Sequence, residues 1–436
     1  MKKVLVICPT QREYRDLPPI ASALGYELIF EEFGGDYFDN PLAQTDSAGA
    51  RHLDILSLIE DLINRYSGAG LAGVTSAVGY PGMSVSSIIA ERLGLPGPAI
   101  KCVLLCEHKY YSRIAQHSLV PEATPSFQLL DSNALMRSIE RMEFPLFVKP
   151  VKANFSINAN RVSNVVELQQ TLRDCSLPER FIRPLNDLLK AHTDFQHDAS
   201  HLLAESLLEG VQVSLEGYVF RGRVQVMGIV DALMYPGTIS FERFVYPSRL
   251  SADVKRRMTR IAETFIRGIG YDNALFNIEL MYNPATGRVD IIEVNPKIAS
   301  QFTDLFEKVD GTSSYSPLLQ IAAGDEPVLL RRQGRFKLAA SCVLRTFENR
   351  RVLSVPTREQ LCKLFERFPD ARVEICASTG NLLSDEMQDG KSYRYALINI
   401  GADLEADLAT KLEICRSLLD FQFAPVTINP QIMNDC

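Results

Sequence analysis

The chain has no extended run of lysines and arginines, no apolar window of about 18 residues and no C-x-x-C pair, and each absence removes a class of function. Without a basic cluster, and with a formal net charge of −7, it carries no electrostatic footprint for nucleic acid or for an acidic membrane surface. An anionic ligand must therefore be held by local groups. Without a long apolar window nothing reads as a membrane span, and the N-terminal MKKVLVICPTQREY is too short an apolar run for a signal peptide. The nine cysteines are an odd number, and only Cys102 and Cys106 lie close together; they read as reduced, buried thiols of a cytoplasmic protein. No internal repeat of fixed period and no low-complexity tract appears. Gly68, Gly70 and Gly73 do spell G-x-G-x-x-G, but the motif follows a helical pattern and opens a strand, the reverse of its order in a dinucleotide site.

What is present is apolar content enough for several cores: 46% of 436 residues, which implies about two to four domains. Strand and helix patterns alternate to about residue 106 (KVLVIC, PPIASALG, YELIFEEF, LDILSLIEDLINRY, LAGVTSAV, SVSSIIAERLG), which predicts a small parallel α/β unit. The prolines of PPIASALG suit a first helical turn and Gly25 its stop. From 107 to 334 come a helix (HKYYSRIAQHSL), the segment ATPSFQLLD and a further helix, the strand FPLFVKPV, and a polar His-bearing stretch, 174–200, that reads as a mobile insertion. The strands HLLAESLLEG, VQVSLEGYVF and RVQVMGIVDAL follow, then a helix over 252–268 and a hairpin. The loop MYPGTISFERFVYPS (234–248) offers Arg243 and Tyr246 as pocket members. Residues 335–436 read as a small α+β unit. The fold class expected is thus α/β and α+β multidomain.

The hairpin carries the chemistry. LFNIELMYN and RVDIIEVNP are strands joined by PATG, whose Pro and Gly favour a tight reversal. With side chains alternating, Asn277, Glu279 and Met281 share one face, and Ile291, Glu293 and Asn295 one face of the partner. A reversal centred on Ala285 sets Glu279 diagonal to Glu293, and one centred on Thr286 sets them directly opposite; both keep the acids on the same side. Facing carboxylates without a counter-charge repel. Two acids and an amide oxygen suit Mg²⁺, which takes its remaining ligands from water and phosphates. Elsewhere, His197, Asp198 and His201 have a spacing that could hold a transition metal on a helix.

Here the sequence resembles the ATP-grasp superfamily, whose nucleotide–metal signature is a Glu on one strand and E-x-N-P-R on the next. Three further stretches stand in the right order: CEHKYYSRIAQHSLVPEATPSF, similar to a family segment with a Lys before R-x-x-L and G-x-P-x-P; FPLFVKPVKANFSINANRV, similar to its P-x-V-x-K-P strand and phosphate loop; and LLAESLLEGVQVSLEG, similar to its adenine-side linker. The resemblance implies an ATP-grasp fold with an N-terminal Rossmann-like domain (1–106), an ATP-grasp domain (107–334) with a mobile small subdomain at about 140–210, and a C-terminal α+β lid domain (335–436).

The resemblance also implies roles. Lys109 and Lys149 would set charges on the phosphates, and Ser156 with loop amides of 152–159 would cover the terminal ones. Glu205 and the backbone of Leu207 would meet adenine in a slot of Leu203 and Leu208. Gln212 stands where the family often has a ribose-binding acid, with Glu216 nearby. Glu279, Glu293 and Asn295 would hold the metal, and Asn295 and Lys297 would act in catalysis. Two departures stand out: Asn154, Ser156, Asn158 and Asn160 replace loop glycines, and Lys297 replaces the Arg of N-P-R, giving charge without a two-pronged fork.

The implied activity is carboxylate–amine ligation through an acyl phosphate, releasing ADP and phosphate. ATP and Mg²⁺ are the cofactors, with Mn²⁺ able to substitute. The lid segment SSYSPLLQIAAGDEPVL is similar to that of L-amino-acid and dipeptide ligases, so the implied partners are small carboxylates and amines, amino acids or a short peptide, with a homodimer admissible. The alternatives left open are a purine-biosynthetic or carboxylase-like ATP-grasp ligase and a non-catalytic ATP-binding relative.

Overall fold

The computed structural model describes residues 1–33, 53–130, 143–153, 157–175, 179–385 and 391–426. The chain opens with a parallel three-stranded sheet of order β2-β1-β3, in which β1 is Lys2–Ile7, β2 Tyr26–Glu31 and β3 Leu71–Thr75. Helices Gln11–Leu24, Ile55–Tyr66 and Gly82–Arg92 accompany it. The first begins earlier than its prolines suggest. Thr10 caps it reciprocally with Glu13, and Pro18 and Pro19 lie inside it, because a paired cap outweighs the preference of proline for a first turn. Gly25 ends it at φ 74°, the left-handed conformation expected of a helix stop.

A four-stranded sheet follows, with β4 (Phe127–Leu130), β5 (Leu146–Pro150), β6 (Asn160–Val162) and β7 (Leu202–Ser206) in the order β4-β7-β5-β6. It has a small core of its own made by Leu130, Leu146, Val148, Val162, Leu168, Leu202 and Ala204. The helix expected after ATPSFQLLD lies outside the described residues. The 174–200 stretch is not the irregular insertion expected: Glu179–His192 is a helix burying Phe181, Ile182, Leu185, Leu188 and Leu189. Its apolar residues recur at helical spacing, a pattern obscured by its many charges.

The remaining strands are β8 (Val211–Phe220), β9 (Arg223–Met234), β10 (Phe241–Tyr246), β11 (Ala274–Tyr282), β12 (Val289–Asn295), β13 (Leu338–Thr346), β14 (Arg350–Ser354), β15 (Arg372–Ile375), β16 (Tyr393–Ala402) and β17 (Gln422–Pro425). Eight of them form one sheet, β12-β11-β8-β9-β10-β13-β16-β15, and β14 pairs with β17. The sheet therefore continues past residue 335 without a break. Strand β10 corrects the loop reading of 234–248, and Tyr246 is buried with its hydroxyl donating to Asp310 at 2.6 Å, so it lines no pocket.

Ionic contacts tie the ends of the chain together. Arg12 donates to both oxygens of Glu374 at 2.7 and 2.9 Å through Nε, and Arg372 reaches Asp16 and Asp304, each at 2.8 Å. Such two-pronged contacts fix orientation as well as distance. No helix among the described residues is long and apolar enough to cross a membrane.

Candidate active site

The hairpin brings its acids face to face. Asn283 caps the turn by accepting from the backbone N–H of Ala285 and Thr286, and Gly287 takes the left-handed conformation at φ 73°. Near the turn Tyr282 pairs with Val289 and Leu280 with Ile291; beyond a register shift, Glu279 pairs with Glu293 and Asn277 with Asn295. Neither single register expected from the sequence holds throughout, because Ile292 is an extra residue, a β-bulge. The bulge also sets Ile291 opposite Leu280 in the core, away from Glu293, so Ile291 does not share the face of the acids.

Two rows of side chains result on three adjacent strands. One is Ser214 (β8), Glu279 (β11) and Glu293 (β12); the next is Glu216, Asn277 and Asn295. Burial and the neighbouring Glu293 raise the pKa of Glu279, and its Oε2 accepts from Gln212 at 2.9 Å. Glu293, although partly buried, is held below the usual carboxylate range by Lys109, whose Nζ stands 2.8 Å from Oε1. Gln212, which stands in place of the acid often found there in the family, thus donates to Glu279 in this structure.

The cations come from the facing wall. Helix Lys109–Leu119 buries a polar face: Lys109, Ser112, Arg113 and Gln116. Arg113 is 2% exposed; its Nε donates to Glu205 Oε1 at 2.6 Å and its Nη2 to the Ile292 carbonyl at 2.8 Å. Lys149, at the end of β5, meets Glu205 Oε2 at 2.8 Å and lies 3.4 Å from the same carbonyl. The bulge thus exposes a backbone oxygen on which both cations converge. Burial pushes Glu205 up, but Arg113 and Lys149 hold it down to about 2. Burial lowers Lys149, against the pull of Glu205.

Each Glu205 oxygen is thus engaged by a cation, so the carboxylate expected at adenine also positions Lys149. Leu203 is fully buried in the core and lines no slot, whereas Leu207 and Leu208 are half-buried just past β7. Ser156 lies outside the described residues. Lys297, just beyond β12, has its Nζ 3.3 Å from the Ile298 carbonyl and its stem against Gly79, where an added Cβ would stand 3.4 Å from Cδ and 3.0 Å from Glu107 Oε1. Glu107 is paired in turn with Lys152.

Arg113 is the functional candidate that the sequence reading passed over. Its signal was its place four residues after Lys109, on the same helical face. Asn277 and Glu216 are the others. Asn295 Nδ2 donates to Asn277 Oδ1 at 3.0 Å, and Asn277 Nδ2 donates to Glu216 Oε1 at 2.5 Å. Glu216 is 1% exposed, and burial pushes it up to about 7 against the hydrogen bonds from Asn277 and Ala299 and the charge of Lys297.

The donors on the hairpin face are all oxygen, two carboxylates and an amide, and the raised pKa of Glu279 marks a place that favours a cation. That set fits Mg²⁺. Among the described residues no group of three or more His, Cys, Asp or Glu side chains converges on a metal, and His201 Nε2 stands 3.7 Å from Asp198 Oδ1 without forming such a cage.

Residues 142–304 match the family described as the ATP-grasp domain. No curated protein matches the chain by sequence. Among solved structures, the L-amino acid ligase of Bacillus licheniformis shares 17% identity and a TM-score of 0.70, over 97% of this chain and 99% of that one. Phosphoribosylglycinamide synthetase of Anaerococcus prevotii shares 13% identity and a TM-score of 0.66, over 97% and 100%. The biotin carboxylase domain of Hydrogenobacter thermophilus 2-oxoglutarate carboxylase, solved with MgADP and bicarbonate, shares 16% identity and a TM-score of 0.66, over 97% and 91%. Identities this low establish the fold, and that fold extends over nearly the whole chain. Residues 142–304 are thus matched as an ATP-grasp domain, and the fold around it is shared with these solved structures over nearly the whole chain.

Proposed function

We propose that this protein joins a carboxylate to an amine, with an amino acid among its substrates, by first phosphorylating the carboxylate with ATP. The observation that carries the reading is the direct opposition of Glu279 and Glu293, with Asn295 one row away on the same face and Lys109 supplying the counter-charge. The similarity to an L-amino acid ligase favours the amino-acid substrate.

Lys109 and Lys149 supply the positive charge that an anionic nucleotide needs in a chain of net charge −7. Lys109 exchanges Glu293 for phosphate oxygens as nucleotide arrives, which frees Glu293. Glu279, Glu293 and Asn295 would then hold Mg²⁺, which when bound neutralises charge on the phosphates. The carboxylate oxygen of the substrate forms a bond to the γ-phosphorus as the bond to the ADP oxygen breaks. The amine nitrogen then forms a C–N bond at the acyl carbon, and phosphate leaves with the C–O electron pair and takes up the proton that the amine loses. Lys297 steadies the transferred group by charge. Holding the reactants in line and placing charge where it develops supply the acceleration, so no covalent protein nucleophile is required.

The test is ADP release measured over pairs of amino acids with Mg²⁺, repeated with Glu293→Gln. A pair that stimulates release above ATP alone supports the ligase, and no stimulation by any pair supports the non-catalytic relative. Full activity in Glu293→Gln removes the metal assignment.

A further inference from the structure

A row of three side chains runs across the sheet beside the acid pair, and its hydrogen bonds have a direction. Glu216, Asn277 and Asn295 are directly opposed on β8, β11 and β12. Asn295 gives its Nδ2 to Asn277 Oδ1, and Asn277 gives its Nδ2 to Glu216 Oε1 and to Ser214 Oγ, both at 2.5 Å. The second oxygen of Glu216 accepts from the backbone N–H of Ala299, at 3.3 Å, two residues beyond Lys297.

We propose that Glu216 is a positioning residue that sets the polarity of this amide relay, and so turns the Asn295 oxygen, rather than its nitrogen, toward the metal. An amide can present either end, and the two ends are nearly alike in shape. An ionised carboxylate can only accept, so its presence at one end fixes Asn277, and Asn277 fixes Asn295. The Ala299 N–H can only donate, so it ties the segment carrying Lys297 to the same carboxylate. Metal donor and catalytic lysine are thereby referred to one buried group, a supporting contact of the kind that orients metal ligands in general.

The chemistry predicts the consequence of replacing it. In Glu216→Gln the new amide must keep its oxygen toward Ala299 N–H, and its NH₂ then faces Asn277. Asn277 turns its oxygen to Gln and its nitrogen to Asn295, and Asn295 turns its NH₂ outward, where it cannot bind a cation. Adding Asn277→Asp restores every bond: Asp accepts from the Gln amide on one side and from Asn295 on the other. A residue needed only for packing shows no such rescue.

The inference rests on the metal role of Asn295 given above. The experiment is Mn²⁺ binding, read by electron paramagnetic resonance at pH 8 in the presence of ADP, with thermal melts confirming folding. Glu216→Gln is expected to weaken Mn²⁺ about 10- to 100-fold, and Glu216→Gln with Asn277→Asp to recover most of the loss. Wild-type affinity in Glu216→Gln, or a folded double variant no better than the single, overturns the proposal. Should the wild-type protein bind no Mn²⁺, the metal assignment fails. Neutron diffraction of Glu216→Gln crystals then decides the relay: the Asn295 nitrogen turned outward upholds it, and that nitrogen still on Asn277 overturns it.

Discussion

The acids of the site stand on β11 and β12, at one edge of an eight-stranded sheet, while Lys149 stands on a four-stranded sheet whose own core, among the described residues, has seven buried side chains. Backbone pairing fixes the acids: the register alone opposes Glu279 to Glu293, whatever their side chains do. Lys149 is fixed differently, by the buried Glu205 and by the Ile292 carbonyl that it shares with Arg113. The large sheet is further braced by ionic contacts joining the N-terminal helix to β15. One half of the site is thus preformed by the fold, and the other is assembled by a few charged contacts that a ligand can exchange. A small core of few residues is also where sub-global opening is least costly.

The contrast can be broken most severely on its acidic side. Glu293→Gln removes one of the two carboxylates proposed to hold the metal, and an activity loss of at least about 100-fold is expected in ADP-release assays. Next comes Glu205→Gln, which strands Arg113 and Lys149 without their anion; chemical denaturation should show about 3–5 kcal/mol lost, as for one partner removed from a buried pair. The same group gives a pH signature. Glu205 in the folded protein is held at about 2, below its unfolded value, so its stabilisation is present above the ordinary carboxylate pKa and is lost as pH falls from there toward 2. Melting temperatures across that window should fall more steeply in the wild type than in Glu205→Gln.

Lys109→Met sharpens the exchange. With the ammonium gone from Glu293, Mn²⁺ in the absence of nucleotide should bind about 10-fold more tightly, while ATP binds more weakly; calorimetry reads both. The smallest effect belongs to the brace. Arg12→Ala removes a largely buried pair, 23% and 27% exposed, and should cost about 1–2 kcal/mol in denaturant titrations, with ADP release little changed.

How much of this the sequence disclosed follows the same division. Period two along LFNIELMYN and RVDIIEVNP placed the acids on one face because side-chain alternation is local information. The bulge at Ile292 was hidden, since which strand residue is extra depends on the partner and not on the run itself. Arg113 was overlooked for a related reason: a helix whose polar face is buried has the same pattern as one whose polar face is solvated, and only tertiary packing separates them. Strand β10 went unseen inside FERFVY because its charges looked like loop, and helix Glu179–His192 because its charges masked five buried apolar residues. Glu205 was found without its ion pairs, as its two cationic partners come from residues 92 and 56 positions away.

The extra residue in β12 has one more implication. Were Ile292 excised, Glu293 would slide into the vacated place and still meet Glu279, and Asn295 would still meet Asn277, since the pairing on the turn side is one residue out of step with the pairing beyond it. What would vanish is the protruding carbonyl that clasps Arg113 and Lys149. A one-residue deletion would then leave the opposed carboxylates aligned while loosening the contact between the two sheets, separating the proposed metal capture from the proposed nucleotide grip within a single polypeptide.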